Sequence, residues 1–217
     1  MKGLKKYIMI ISEHYSHLCL ETISILHRKA FRIPKNKVLF LDRDGVLIDD
    51  VHYINSANQV NIPTGVRPFL QKARELDYDI CVVTNQSSIG RKLIDIDDYL
   101  AITQEFLSNI NVDLYPDFIL ANFHLPDSKM KTAHWRKPGT GMFQFILKNF
   151  SYSPDNCLMY GDKLSDLIPA YKSGINKVFF VETIQKQNEI KKVIKWYDSI
   201  DQKVDLTILK ELKCSNL

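Results

Sequence analysis

The sequence predicts an α/β domain built on a doubly wound parallel sheet of the Rossmann-like kind. Short apolar runs that suit buried strands alternate along the chain with longer stretches of helical spacing. Polar residues follow several of these runs directly, as is typical of the carboxyl ends of parallel strands. The length of 217 residues suits one such domain with terminal additions.

The strand predictions rest on short apolar runs, and the helix predictions rest on apolar residues three and four positions apart. In the segment 65–76, Val66, Phe69, Leu70 and Ala73 would share one helical face. The five predicted strands span residues 38–41, 80–83, 117–120, 157–160 and 178–181. The four predicted helices span residues 65–76, 97–107, 142–147 and 164–171.

Three parts are predicted along the chain. Residues 1–36 are an N-terminal extension, because Pro34 and the polar residues after it mark a boundary. Residues 37–184 are the α/β domain. Residues 185–217 are a C-terminal helical extension, because Val193 and its apolar neighbours form an amphipathic pattern among lysines and glutamates. Both extensions are candidates for oligomerisation or for docking on a partner protein.

Composition narrows the classes of protein. The formal net charge is only +4 and the lysines are scattered, so no nucleic-acid-binding surface is expected. The four cysteines are far apart, which favours a reducing compartment over a disulfide framework. No apolar run approaches the roughly 18 residues that a membrane span requires. The sequence therefore predicts a cytoplasmic protein without a membrane partner.

Two carboxylates follow the first predicted strand of the sheet. Asp42 and Asp44 come directly after residues 38–41, and Gly45 suits a sharp turn or a close approach to a ligand. Carboxylates at this spacing can divide the chemistry, one acting as nucleophile and metal ligand and the other transferring protons. The alternative is a strand that ends in a polar turn.

Three further segments carry polar side chains at the ends of predicted strands or in turns. Residues 84–87 can donate to phosphate, although helix capping is the alternative. Arg136 and Lys137 can neutralise a phosphoryl group, although a solvated basic turn also fits. Asp162 and Asp166 suit Mg²⁺, although a helix cap with a surface carboxylate is the alternative.

In this order, the four segments resemble the four motifs of the haloacid dehalogenase superfamily of phosphatases. The second aspartate, two positions after the first, is similar to the phosphatase branches of that superfamily. The strings LDRDGVLIDD, TNQSSIGR, RKPGTGM and GDKLSD resemble the heptose bisphosphate phosphatase family and its histidinol-phosphate phosphatase relatives. The resemblance covers about residues 37–181.

The resemblance implies a role for each motif residue. Asp42 would attack phosphorus to form an aspartyl-phosphate, and Asp44 would act as acid and then base. Thr84 and Lys137 would hold and stabilise the phosphoryl group. Mg²⁺ would be bound by Asp42, by the backbone carbonyl of Asp44, by Asp162 and, less directly, by Asp166. The implied substrate-binding residues are Asp50, Tyr53, Asn85, Gln86, Ser87, Arg136 and Lys163.

Two further expectations concern the surroundings of this site. No large insertion follows Asp44 or separates Thr84 from Lys137, so the resemblance implies an open site without a separate cap domain. The related phosphatases usually carry a zinc loop with Cys-x-His and Cys-x-Cys before the Arg-Lys-Pro turn.

Zinc is not expected in this chain. Asn122, Ala133 and Trp135 replace the cysteine ligands, His124 alone keeps its place, and His134 lies one position off the pattern. The loop from residue 122 to residue 135 is therefore expected to be held by packing of Phe123, Met130 and Trp135.

The sequence thus predicts a Mg²⁺-dependent phosphomonoesterase. Its expected substrate is a small sugar phosphate similar to D-glycero-D-manno-heptose 1,7-bisphosphate, used in lipopolysaccharide biosynthesis. The enzyme alternatives are a histidinol-phosphate phosphatase and a nucleotide or polynucleotide phosphatase. A non-catalytic binding protein on the same fold is the alternative from another class, although all four central residues of the motifs are present.

Overall fold

The computed structural model describes residues 9–20, 22–29, 35–182, 187–201 and 204–217. The strands are β1 Tyr15–Leu20, β2 Ile23–Arg28, β3 Val38–Leu41, β4 Asp79–Asn85, β5 Phe118–Asn122, β6 Leu158–Gly161, β7 Lys177–Val181 and β8 Asp205–Leu209. The helices are α1 Met9–His14, α2 Val66–Glu75, α3 Ser87–Gly90, α4 Ile96–Ser108, α5 Gly141–Asn149, α6 Leu164–Lys172 and α7 Gln187–Ser199.

All eight strands form one sheet in the order β1-β2-β5-β4-β3-β6-β7-β8. The strands from β3 to β8 pair in parallel, and β3 lies at the centre between β4 and β6. The predicted parallel sheet is therefore confirmed. The structure adds two antiparallel strands, because β2 pairs with β5 and β1 pairs with β2 at that edge.

Helices pack on both faces of the sheet. Apolar residues of α1, α2 and α4, including Phe69 and Phe106, fill one face of the core. Apolar residues of α5, α6 and α7, including Phe143 and Val193, fill the other face. The sheet is thus doubly wound as predicted, with its central strands buried on both sides. None of the described helices has the length and apolar character needed to cross a membrane.

Both terminal extensions contribute strands that the sequence analysis does not predict. β1 and β2 belong to the N-terminal extension, and β8 follows α7 in the C-terminal extension, which is therefore not helical throughout. β1 and β8 are edge strands whose positions are mostly exposed or half-buried, so they lack the apolar runs of central strands. β2 buries its first four residues between β1 and β5, but Ser24 interrupts its apolar run. The predicted boundary at residues 184 and 185 lies outside the described residues, and the three-part division stays a prediction.

A buried ion pair joins α2 to the amino end of β5. Arg74 Nη1 lies 2.6 Å from Asp117 Oδ2, and both side chains are less than a tenth exposed, at 7% and 9%. The same carboxylate oxygen accepts the backbone N–H of Ile80 over 2.8 Å. This pair therefore connects α2, β4 and the segment before β5 at the end of the sheet opposite the predicted motifs.

We expect Arg74→Met to lower the free energy of unfolding by about 3–5 kcal/mol, because Asp117 would stay buried without its cation. Lys72→Met is the matched control on the same helix. Lys72 pairs with Glu75 over 3.5 Å with both side chains well exposed, so its loss should cost only about 0–1 kcal/mol. Urea unfolding of both variants tests this, and equally small losses would contradict the structural role of the buried pair.

Candidate active site

The carboxyl ends of β3, β4 and β6 meet at one edge of the sheet and carry the predicted motifs. The backbone N–H of Asp42 donates to the carbonyl of Tyr160 over 3.0 Å, which ties the first motif to β6. A cavity of about 660 Å³ opens over this edge. Its lining includes the predicted residues Asp44, Asp50, Tyr53, Asn85, Gln86, Ser87, Arg136, Lys137 and Lys163. The predicted residues Asp42, Thr84, Asp162 and Asp166 are buried.

Three buried carboxylates lie close together, and two of them pair with the ammonium group of Lys137. One oxygen each of Asp42, Asp162 and Asp166 lie within 4.8 Å of one another. Lys137 Nζ lies 2.9 Å from Asp42 Oδ1 and 2.7 Å from Asp166 Oδ1. The same ammonium donates to the backbone carbonyl of Val83 over 2.7 Å. These three contacts hold the cation in one position at the end of β4.

Burial and charge act in opposite directions on this cluster. Burial lowers the pKa of Lys137, but the carboxylates of Asp166 and Asp42 outweigh it and raise that pKa overall. Burial raises the pKa of Asp166, although the charge of Lys137 opposes the rise. Lys137 therefore stays charged at neutral pH, while Asp166 is a weaker acid than an exposed aspartate.

Two glycines allow the carboxylates to approach the backbone closely. Gly45 has a φ of +91°, and a Cβ there would lie 2.1 Å from Asp162 Oδ2. A Cβ at Gly161 would lie 2.3 Å from the Cβ of Asp166. The three side chains of this cluster offer carboxylate oxygens, which suit a hard cation such as Mg²⁺. The residues present thus fit the divalent cation that the sequence predicts.

Asp44 lies apart from that cluster and is surrounded by hydrogen-bond donors. Its Oδ1 lies 3.0 Å from Arg43 Nη2, and its Oδ2 lies 3.3 Å from Arg43 Nε. Gln86 Nε2 donates to Asp44 Oδ2 over 2.7 Å and to Thr84 Oγ1 over 2.8 Å. Thr84 Oγ1 donates to the same carboxylate over 3.4 Å. Gln86, predicted to bind substrate, thus contacts two predicted catalytic side chains.

Asn85 fixes the backbone of Lys137 with both ends of its amide. Asn85 Nδ2 donates to the carbonyl of Lys137 over 2.9 Å, and Asn85 Oδ1 accepts its N–H over 3.0 Å. The end of β4 is thereby joined to the turn that carries Lys137. Sequence reasoning assigns Asn85 to phosphate binding and misses this contact, because the two residues are far apart in the chain.

The outer part of the cavity carries several charged groups. Lys163 Nζ lies 3.5 Å from Asp50 Oδ2. The guanidinium of Arg91 lies over the ring of Tyr53, 5.6 Å from its centre. Burial and the nearby charge of Arg91 both lower the pKa of Arg136. Arg91 belongs to the string TNQSSIGR, but the sequence alone gave no role for it. Its cationic side chain within that motif is the signal that could have indicated one.

The expected packing of the loop from residue 122 to residue 135 is only partly right. Phe123 is buried, with its ring centre 5.5 Å from that of Tyr99. Trp135 packs against Phe145 at 5.3 Å between ring centres. The prediction for Met130 is wrong, because its side chain is 49% exposed. It extends from the loop and contributes little to holding it.

Hydrogen bonds of His124 close this loop instead. His124 Nε2 lies 2.7 Å from Thr132 Oγ1, and Nδ1 lies 3.0 Å from Ser128 Oγ. Thr132 Oγ1 lies 3.3 Å from Thr22 Oγ1 in the turn of the β1–β2 hairpin. The carbonyl of His124 accepts Arg136 Nη1 over 2.9 Å. The N-terminal hairpin thus contacts the loop that bears Arg136, and both ring nitrogens of His124 are engaged by hydroxyl groups.

Comparisons with known proteins agree with this fold. The family model described as polynucleotide kinase 3 phosphatase matches residues 37–166. A HAD-hydrolase-like model matches residues 134–201. The chain is 31% identical over 156 residues to D-glycero-alpha-D-manno-heptose-1,7-bisphosphate 7-phosphatase of Photorhabdus laumondii, covering 69% of this chain and 84% of that protein. It is 28% identical over 177 residues to D-glycero-beta-D-manno-heptose-1,7-bisphosphate 7-phosphatase of Helicobacter pylori, covering 81% of this chain and 98% of that protein.

Solved structures show the same fold. A HAD-like phosphatase from Mesorhizobium loti has a TM-score of 0.68 at 26% identity, covering 76% of this chain and 83% of that one. The heptose bisphosphate phosphatase of B. bronchiseptica, solved with magnesium and phosphate, has a TM-score of 0.69 at 23% identity, covering 82% of this chain and 95% of that one.

The doubly wound sheet, the carboxylates at its edge and these matches define a phosphatase of the haloacid dehalogenase class. The chain belongs to that family. Within it, the chain resembles the heptose-1,7-bisphosphate 7-phosphatases, at about 30% identity. The alternative of a non-catalytic binding protein is thereby set aside.

We expect Lys137→Met to lower kcat for 4-nitrophenyl phosphate by about 10²–10³-fold, because the cation beside Asp42 would be lost. Lys129→Met removes an exposed lysine from a nearby loop and is the control, which should keep wild-type kcat. Steady-state release of nitrophenol measures both variants. More than half of the wild-type rate in Lys137→Met would contradict a role for this ammonium in transfer.

Proposed function

We propose that this chain is a Mg²⁺-dependent phosphatase that removes the 7-phosphate of a D-glycero-D-manno-heptose 1,7-bisphosphate. The observation that carries the proposal is the position of Lys137 Nζ between Asp42 Oδ1 and Asp166 Oδ1, beside an open cavity with cationic groups. Relatives at 31% identity are named for this activity. The proposed setting, which stays a prediction, is lipopolysaccharide synthesis in the cytoplasm.

In the proposed reaction, Asp42 attacks the phosphorus and the sugar oxygen leaves with a proton from Asp44. A water molecule then attacks the aspartyl-phosphate while Asp44 accepts its proton. Lys137 stabilises the negative charge on the phosphoryl oxygens, and Thr84 helps to orient them. A Mg²⁺ held by Asp42, Asp162, the Asp44 carbonyl and Asp166 would screen the repulsion between nucleophile and phosphate.

A second phosphate on the substrate suits the outer cavity. Arg136 and Lys163 line it, and Arg91 lies close enough to Arg136 to lower its pKa. A guanidinium binds a phosphate group through paired hydrogen bonds, which favours Arg136 as the main contact. The cavity of about 660 Å³ is large enough for a sugar with two phosphates. These features favour a bisphosphate over a small monophosphate.

A second candidate is a phosphatase that acts on 3′-phosphate ends of polynucleotides. The family model that matches residues 37–166 is described by that activity. The exposed ring of Tyr53 beside Arg91 would offer a base a surface for stacking. The formal net charge of +4 supplies little attraction for a long polyanion, so the sugar phosphate is preferred.

We expect the purified protein to release phosphate with Mg²⁺ from one or both anomers of heptose 1,7-bisphosphate. Histidinol phosphate and a 3′-phosphorylated oligonucleotide complete the panel. EDTA and, separately, Asp42→Asn should abolish release, because the first removes the cation and the second removes the nucleophile without changing its size. Preference for the oligonucleotide would overturn the sugar assignment, and an active Asp42→Asn would overturn the mechanism.

We expect Arg136→Met to raise KM for the bisphosphate by about tenfold or more, since a charge-assisted contact contributes about 1.5–3 kcal/mol. KM for 4-nitrophenyl phosphate, which has no second phosphate, should change less than about twofold, because no such contact is lost. Arg67→Met, an exposed arginine outside the cavity lining, is the control for general effects of charge. Equal changes for both substrates in Arg136→Met would contradict the assignment.

A further inference from the structure

Arg43 is a fully buried arginine between the two predicted catalytic aspartates. Its side chain is only 2% exposed, and Nη2 pairs with Asp44 Oδ1 over 3.0 Å. The guanidinium also lies over the ring of Tyr99, 5.9 Å from its centre. The carbonyl of Arg43 accepts the backbone N–H groups of Leu47 and Ile48 over 2.9 Å and 3.0 Å. The residue is therefore fixed at both its backbone and its side chain.

This pairing has a clear energetic consequence. A guanidinium removed from water is costly unless a carboxylate compensates its charge. Among the described residues, the ion pair recorded for Arg43 is the one with Asp44. Arg43 engages both oxygens of that carboxylate, through Nη2 and Nε, and this fork geometry restricts rotation of the group as well as attracting it. The carboxylate of Asp44 is therefore oriented by a side chain that is itself buried and packed against Tyr99.

The donors around Asp44 fix the position of its carboxyl group. Besides Arg43, the amide of Gln86 and the hydroxyl of Thr84 donate to Oδ2 over 2.7 Å and 3.4 Å. Three side chains thus restrain one carboxyl group, which narrows the range of orientations that it can adopt. A general base has to lie within hydrogen-bond reach of the proton that it takes, so an oriented carboxyl group suits the proposed second step.

We propose that Arg43, assisted by Gln86, is a positioning residue that holds Asp44 as the base for hydrolysis of phosphorylated Asp42. This inference rests on the proposed function. In the step concerned, the water oxygen forms a bond to phosphorus and Asp44 takes the water proton. The bond between phosphorus and Asp42 breaks, its electron pair returns to the carboxylate of Asp42, and inorganic phosphate is released.

The test uses 4-nitrophenyl phosphate, whose good leaving group needs no proton from Asp44. In Arg43→Met, the first step should then be unaffected and the second step slowed. In a two-step reaction of this kind, kcat and KM fall together while kcat/KM stays constant. We expect kcat to fall by about 10²-fold, as loss of a general base implies. A burst of nitrophenol equal to the enzyme concentration should accompany this fall, because phosphorylated enzyme accumulates.

Matched variants separate this role from a structural one. Arg74→Met removes another buried, carboxylate-paired arginine, far from the site, and should leave kcat and KM unchanged. Arg43→Lys keeps the charge but not the fork, and should recover part of kcat. Gln86→Met should give the same parallel fall to a smaller extent, and it replaces Arg43→Met as the test if that variant does not fold.

Two results would overturn the inference. One is a fall of kcat/KM in step with kcat, without a burst, and the other is wild-type kinetics in Arg43→Met. If the wild-type protein releases nitrophenol, the phosphatase proposal stands even when the inference on Arg43 fails. If the wild-type protein hydrolyses no phosphate ester, both the phosphatase proposal and the inference on Arg43 are wrong.

Discussion

The ammonium group of Lys137, held between Asp42 and Asp166, is the interaction on which the rest of the site depends. Without it, carboxylates that lie within 4.8 Å of one another would face each other in a buried environment. The cation makes it possible to bury the carboxyl group of Asp42 in one orientation. Asp162 adds a further carboxylate, so the cluster still has more acids than bases, which suits a second cation.

Several separate contacts in the fold serve to place that ammonium. The amide of Asn85 at the end of β4 holds the backbone of Lys137, and the carbonyl of Val83 accepts its side chain. Glycines at positions 45 and 161 leave room for the neighbouring carboxylates. At the opposite end of the sheet, the buried pair of Arg74 and Asp117 connects α2 to the amino end of β5. Stability and chemistry are thus concentrated at opposite ends of the same strands.

The central strands and the placement of the motifs could be predicted because each strand is a buried apolar run that ends in polar residues. The edge strands β1 and β8 could not, since they bury too little to leave that pattern. β2 could not either, because Ser24 interrupts its short apolar run. Asp42, Lys137, Asp162 and Asp166 could be singled out because their four segments, taken together and in order, resemble the motifs of the superfamily. The contacts of Arg43 and Gln86 with Asp44 depend on tertiary packing, and the same residue types also suit a solvated turn.

The contacts that hold the loop from residue 122 to residue 135, just before Arg136, could likewise not be predicted from the sequence. Met130 is apolar and was predicted to pack, but the loop is closed by the hydroxyl partners of His124, and the hairpin contributes Thr22. Hydrogen bonds between residues that are distant in the chain have no periodic signature. The N-terminal extension therefore acquires a structural role that composition and spacing do not indicate.

The most direct test of the central claim is to locate the phosphoryl group during turnover. The wild-type protein would be mixed with substrate and Mg²⁺ and quenched in acid within the first turnover. Reduction with borohydride and peptide mass spectrometry would then identify the modified carboxylate. The account predicts that Asp42 alone is modified, and that Asp42→Asn yields no modified peptide. Modification at another residue, or rapid turnover without any phosphorylated protein, would contradict it.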